Sequence, residues 1–140
     1  MLKSTLLHPE ILNALGRAGH GSRILIADGN YPFSTGSSPS AEKVYLNLKP
    51  GMVKVTDVLE ALVESIPIEA AVVMVPDDKA DQPVFHEFRQ LLPGQLDLTK
   101  VTRFEFYDRA RSSETALVIA TGEERIYANL LLIIGVRTPT

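Results

Sequence analysis

The chain of 140 residues reads as a single α/β domain, a central mixed and mostly parallel sheet flanked by helices. Three observations predict it. Arg23 to Ala27 and Ala70 to Val75 are apolar runs without polar alternation, the pattern of strands covered on both faces. Segments with apolar residues at helical spacing alternate with such strands, as in β–α–β units. The length suits one sizeable core and is too short for two comfortable domains, and no internal repeat divides it, so residues 1–140 form one unit.

His8-Pro9-Glu10 starts a helix, because proline is tolerated in a first turn and an acid suits the N-terminal dipole. Ile11, Leu12 and Leu15 give it an apolar face, and Gly16 and Gly19 stop it. The strand Arg23 to Ala27 follows, then a loop from Gly29 to Ser40 rich in Gly, Pro, Ser and Asn with Tyr31 and Phe33 inside it. Val44 to Leu48 is a short strand closed by the turn Lys49-Pro50-Gly51. Thr56 or Asp57 caps a helix whose stripe is Val58, Leu59, Leu62, Val63 and Ile66. After Ala70 to Val75 come a helix over Pro83 to Leu92, a segment Val101 to Phe104, and a short helix from Phe106 to Arg111. Thr115 to Ala120 is a strand, Thr121 to Glu124 a turn with solvated acids, and Ile126 to Ile134 a final apolar strand. Met52 and Met74 read as core filler.

Composition narrows the function. A net charge of −3, with no basic run, argues against nucleic acid or an anionic membrane as partner. The absence of cysteine excludes disulfides and thiolate metal sites. His8, His20 and His86 lie too far apart for metal-ligand spacing, so neither a metal nor any other cofactor is expected. The N-terminus lacks the apolar stretch of a signal peptide and no run is long enough to span a membrane, so the expected setting is cytoplasmic.

Three constellations carry chemistry. Gly19-His20-Gly21 sets the side chain best suited to proton exchange near neutral pH between two residues without bulk, ahead of a strand that ends at Asp28. Strand rise leaves open whether His20 and Asp28 meet in one cleft or stand apart. Arg103-Phe104-Glu105-Phe106-Tyr107 puts a cation among aromatics at a strand-to-helix transition. Tyr127 and Asn129, two apart, face one way if they lie on the last strand, offering neutral donors and acceptors of the kind that hold sugar hydroxyls. Each also has an ordinary structural reading: a turn, a surface ion pair, two polar residues satisfying each other at a strand edge. No glycine-rich phosphate cradle follows the first strand, since Gly16, Gly19 and Gly21 all precede it.

Together these stretches resemble the fucose mutarotase and ribose pyranase family of sugar-ring isomerases, over nearly the whole chain. The residues that carry the likeness are Gly19-His20-Gly21, Asp28 and Pro32; Arg103 through Ala110; Thr121-Gly122-Glu123; and Tyr127 through Leu132 with Gly135-Val136. Arg103 is similar to the fucose branch, the ribose branch having histidine there. The resemblance implies a monosaccharide substrate, His20 as proton donor with Asp28 beside it in catalysis, and Asp28, Arg103, Tyr127 and Asn129 as sugar-binding residues. It also implies ring-shaped homo-oligomers with sites at subunit boundaries. Ser22 departs from the family pattern; it supplies a hydrogen bond and no charge. The expected reaction is α/β anomer exchange, most simply of L-fucose or a related sugar. Pyranose–furanose exchange of ribose and sugar binding without turnover are the alternatives.

Overall fold

A computed structural model describes all residues, 1–140. Six strands and four helices follow in the order α1 (Pro9–Arg17), β1 (Arg23–Ala27), β2 (Glu42–Tyr45), α2 (Val55–Val63), β3 (Ile68–Met74), α3 (Pro83–Leu91), β4 (Leu98–Val101), α4 (Arg103–Ala110), β5 (Thr115–Ala120) and β6 (Leu130–Ile134). They form one sheet in the order β2-β5-β1-β6-β3-β4. The β2–β5, β5–β1 and β3–β4 pairs are parallel, while β6 runs antiparallel to both β1 and β3. The sheet is thus mixed and mostly parallel, as the sequence predicts, with all the mixing due to β6.

Alternation along each central strand divides the core into two layers. Ile24 and Ile26 of β1, Ala71 and Val73 of β3, and Leu130 and Leu132 of β6 face the layer that also holds Ile11, Leu59, Leu62, Phe85 and Phe88 of α1, α2 and α3. Leu25, Val72, Met74 and Leu131 face the opposite layer, closed by Phe106 and Ala110 of α4 and by Tyr31 from the long loop. No helix is long and apolar enough to cross a membrane.

Several local expectations are corrected. Helix α1 runs through Gly16 to Arg17 and ends at Ala18, whose N–H reaches the carbonyls of Ala14 and Leu15. Neither Thr56 nor Asp57 is the cap of α2; Lys54 is, and Asp57 sits one turn in, accepting the Lys54 N–H at 3.0 Å. Strand β2 lies two residues before its expected start, and α4 begins at Arg103 rather than Phe106. Strand β6 begins only at Leu130, since Arg125, Ile126 and Tyr127 form a turn. Met52 is 44% exposed and fills no core, whereas Met74 is buried. Glu123 is buried at 3% exposure, not solvated.

Candidate functional site

Parallel strands deliver the residues that follow them to a common sheet edge, where ligands of open α/β sheets bind. Here Asp28 follows β1, Met74 closes β3, Arg103 opens α4 just after β4, and Asn129 immediately precedes the antiparallel β6. All four line one cavity of about 440 Å³, together with Asn30, Tyr31, Tyr107, Ile126 and Tyr127. Its size falls in the ~300–1,000 Å³ range of small-molecule sites.

Asp28 and Asn129 form the floor. Asn129 donates from Nδ2 to Asp28 Oδ2 at 3.0 Å, and its Oδ1 accepts the Asp28 backbone N–H at 2.7 Å. The other carboxylate oxygen accepts the Asn30 N–H at 3.0 Å. Burial, at 3% exposure, pushes the Asp28 carboxyl above the usual aspartate range, and these hydrogen bonds oppose that push without cancelling it. The site therefore holds a carboxyl group poised closer to neutral pH than a surface aspartate.

Aromatic side chains form the walls. Tyr31 is buried with its hydroxyl donating to the Gly36 carbonyl, and it meets Tyr107 edge-on at 5.3 Å between ring centroids. Desolvation pushes the Tyr31 phenol up, so it stays protonated. Arg103 has no carboxylate within ion-pair distance; its guanidinium lies over the Phe104 ring at 5.1 Å and the Tyr107 ring at 5.6 Å. A cation held by ring faces keeps its N–H groups free for a ligand. Tyr127 adopts φ +59°, a left-handed conformation that costs a non-glycine residue of order 1–3 kcal/mol and clusters at functional sites. Ile126, which lines the cavity, and Phe104, packed beside the lining residues Arg103 and Tyr107, are 65% and 69% exposed.

The sequence reading of Tyr127 and Asn129 on one strand face is replaced by a turn residue and a strand-entry residue that reach the same cavity. They do not bond to each other: Asn129 is committed to Asp28. Arg103 is no surface ion-pair member. Tyr107 and Asn30 went unassigned in the sequence, although a helix starting at Arg103 puts Tyr107 one turn on, on the same face.

His20 is not in this cavity. It precedes β1 while Asp28 follows it, and five strand residues at about 3.3 Å each hold the two at opposite sheet edges. Asp28 therefore cannot orient His20 within one chain. The His20 ring instead contacts Glu69 across the sheet edge, Nε2 to Oε2 at 3.0 Å.

A second cavity of about 450 Å³ adjoins the first at Asn30 and is lined by polar residues, glycines and Pro50, among them Lys49, Thr121, Gly122 and Glu123. Glu123 is structural there. Its Oε2 accepts the Val55 N–H at 3.1 Å at the start of α2, and both oxygens take Arg125 at 2.9 Å. Burial raises the Glu123 carboxyl, but the bonds from Arg125 and the backbone outweigh it and leave it below the usual glutamate range.

The chain matches the RbsD / FucU transport protein family over residues 1–137. It is 35% identical to the fucose mutarotase of Homo sapiens over 144 aligned positions, covering 94% of this chain and 90% of that one. The crystal structure of the fucose mutarotase from Streptococcus pneumoniae in complex with L-fucose superposes with a TM-score of 0.83 at 25% identity, covering 99% of this chain and all of that one. Bacillus subtilis RbsD complexed with D-ribose superposes with a TM-score of 0.82 at 28% identity, covering 99% and 100%.

Proposed function

Because the chain belongs to the RbsD / FucU transport protein family, we propose that it is a sugar mutarotase, an isomerase that exchanges the α and β anomers of a monosaccharide, with L-fucose as its substrate. The observation that carries this reading is the cavity itself: one buried carboxyl, one unpaired guanidinium, two carboxamides and three tyrosines, converging without a nucleophile.

Ring opening removes a proton from the anomeric hydroxyl, breaks the bond from C1 to the ring oxygen, and delivers a proton to that oxygen. Rotation about the C1–C2 bond and reclosure on the other carbonyl face give the second anomer. Both transfers need only positioned acids and bases, each contributing roughly 10²–10⁴-fold. In this reading Asp28 holds and deprotonates a hydroxyl, aided by its raised affinity for protons. Arg103 meets the oxygen that gains negative character, and Tyr127 and Asn129 fix the ring through neutral hydrogen bonds. The second proton-transfer group is His20 of a neighbouring copy. The chain assembles into a ring-shaped homo-oligomer in which the exposed Phe104 and Ile126 at the cavity are covered and the next subunit's sheet edge brings its His20 over the sugar. The separation of His20 from Asp28 in one chain supports a shared site, because a proton donor at the far sheet edge serves only a neighbour. The working compartment in this reading is the cytoplasm.

Saturation-difference NMR of L-fucose anomer exchange tests this. Wild type is expected to accelerate exchange and His20→Ala to lose most of the gain, roughly 10²-fold or more; unchanged exchange in the variant removes His20 from the role. The likeness to a ribose-bound structure favours one other reading, pyranose–furanose exchange of D-ribose. Parallel measurement on both sugars separates the two, and saturation of either without faster exchange leaves a binding module.

A further inference from the structure

The contact between His20 and Glu69 is built from both sides. On the His20 side, residues 19–22 close a tight turn: the Ser22 N–H donates to the Gly19 carbonyl at 3.0 Å, and the Gly19 N–H donates to Ser22 Oγ at 3.1 Å. Gly21 takes φ +86°, open to glycine, and its N–H donates to the Ile134 carbonyl at 2.9 Å, which pins the turn to the end of β6. On the other side Glu69 is the second residue of β3. Where β6 ends, Gly135 passes so close that a Cβ there would sit 3.2 Å from Glu69 Cβ, so any larger residue would press on the Glu69 side chain.

We infer that Glu69 is the positioning residue for His20 in anomer exchange. Its carboxylate accepts a hydrogen bond from Nε2–H, so the neutral ring carries its proton on Nε2 and presents the Nδ1 lone pair outward. The tautomer of a histidine is set by the bond its other nitrogen makes. In the exchange the imidazolium, balanced by the Glu69 carboxylate, gives its Nδ1 proton to the ring oxygen as Asp28 takes the anomeric proton, and regains it from that hydroxyl on reclosure as Asp28 returns its own. This rests on the mutarotase reading above, in which His20 serves the cavity of a second copy. It also gives Ser22 a definite part: the serine closes the turn, and the charge it lacks comes from Glu69, 49 positions beyond His20. The two side chains are 58% and 46% exposed in the single chain, where such a pair is screened and weak; a second subunit packed over them withdraws water and strengthens it.

The test compares wild type, Glu69→Gln and Glu69→Asp as intact assemblies. Histidine ring ¹⁵N shifts report the His20 tautomer, and L-fucose anomer exchange reports kcat and KM separately. The expected result is an Nε2–H ring in wild type, a mixed tautomer population in Glu69→Gln, and a kcat lower by roughly tenfold with KM unchanged, a part of the ~10²–10⁴-fold that an acid–base group supplies. Glu69→Asp restores part of both. An unaltered tautomer in Glu69→Gln overturns the inference, and so does an altered tautomer with kcat intact. A wild-type protein that does not accelerate exchange at all overturns the mutarotase reading and this role with it. That outcome is distinct from a failure of Glu69 alone, in which wild type turns over and Glu69→Gln matches it.

Discussion

Replacing Asn129 with alanine strips Asp28 of two partners at once, the amide that donates to its carboxylate and the carbonyl that accepts its backbone N–H. A buried polar group left without a partner costs about 1–3 kcal/mol, so Asn129→Ala is expected to lower the urea midpoint correspondingly and to weaken L-fucose binding in the same preparation. Asp28 also fixes a pH dependence. Its folded-state affinity for protons is raised, so the native chain holds a proton that the unfolded chain has released, and its contribution to stability falls as pH rises from the reference value of 3.8 through the folded value. In the proposed mechanism exchange requires the ionised form, so the acidic limb of its rate profile is expected above 3.8 and is expected to vanish in Asp28→Asn. A limb at or below 3.8 would argue that burial leaves the group unperturbed. Asp28, Arg103, Tyr127 and Asn129, four of the nine residues that line the cavity, were legible in the sequence because each stands where a strand or its neighbouring turn ends. The partner of His20 was not, because spacing along a chain says nothing about which side chain a neighbouring strand brings alongside.

Among the connecting elements, the segment after β5 does more than reverse the chain. Gly122 lies against the loop before α2, where a Cβ would fall 2.3 Å from the carbonyl oxygens of Lys49 and Met52. Backbone atoms do not yield as side-chain tips do, so Gly122→Ala is expected to cost at least about 3 kcal/mol, read as a loss of denaturation midpoint. The next residue ties that segment to the start of α2. Glu123→Gln keeps the shape and removes the charge that holds Arg125 and the Val55 N–H, and is expected to destabilise by about 1–3 kcal/mol near neutral pH. Because its folded carboxyl is held below its reference value of 4.5, that contribution is present above 4.5 and lost as pH falls through the folded value, so the gap between variant and wild type should close in acid. The sequence reads this stretch as a solvated turn, since two adjacent glutamates carry no sign of which is buried. The late start of β6 was hidden similarly: Ile126 is apolar yet 65% exposed, and it extends the run by eye alone.

At the scale of the proposed assembly, subunit mixing tests whether a site draws on two chains. Mixing His20→Ala with Asn129→Ala subunits, each impaired alone, pairs the intact cavity of one with the intact histidine of the other. Random co-assembly is expected to restore about a quarter of wild-type sites, whereas sites contained in one chain would recover nothing. Charge beside the cavity offers an independent check: Phe104→Glu is expected to shift the protein to a smaller species by light scattering and to depress exchange with it. The single α/β domain and its mixed sheet were legible from alternation and apolar runs, which depend only on local pattern. Strand order was not, because it depends on which distant segments pair.

The position of β6 bears on how the protein comes into being. It is the last strand to be made and lies in the middle of the sheet, between β1 and β3. Until it inserts, β2-β5-β1 and β3-β4 are two unjoined half-sheets, each with a raw edge. Asp28 goes with one half, Met74 and Arg103 with the other, and Asn129 leads into the strand that welds them. The nascent chain thus has no partial form that binds sugar. In the proposed reading, competence to bind a monosaccharide arrives with closure of the sheet, and binding then stabilises the closed form alone.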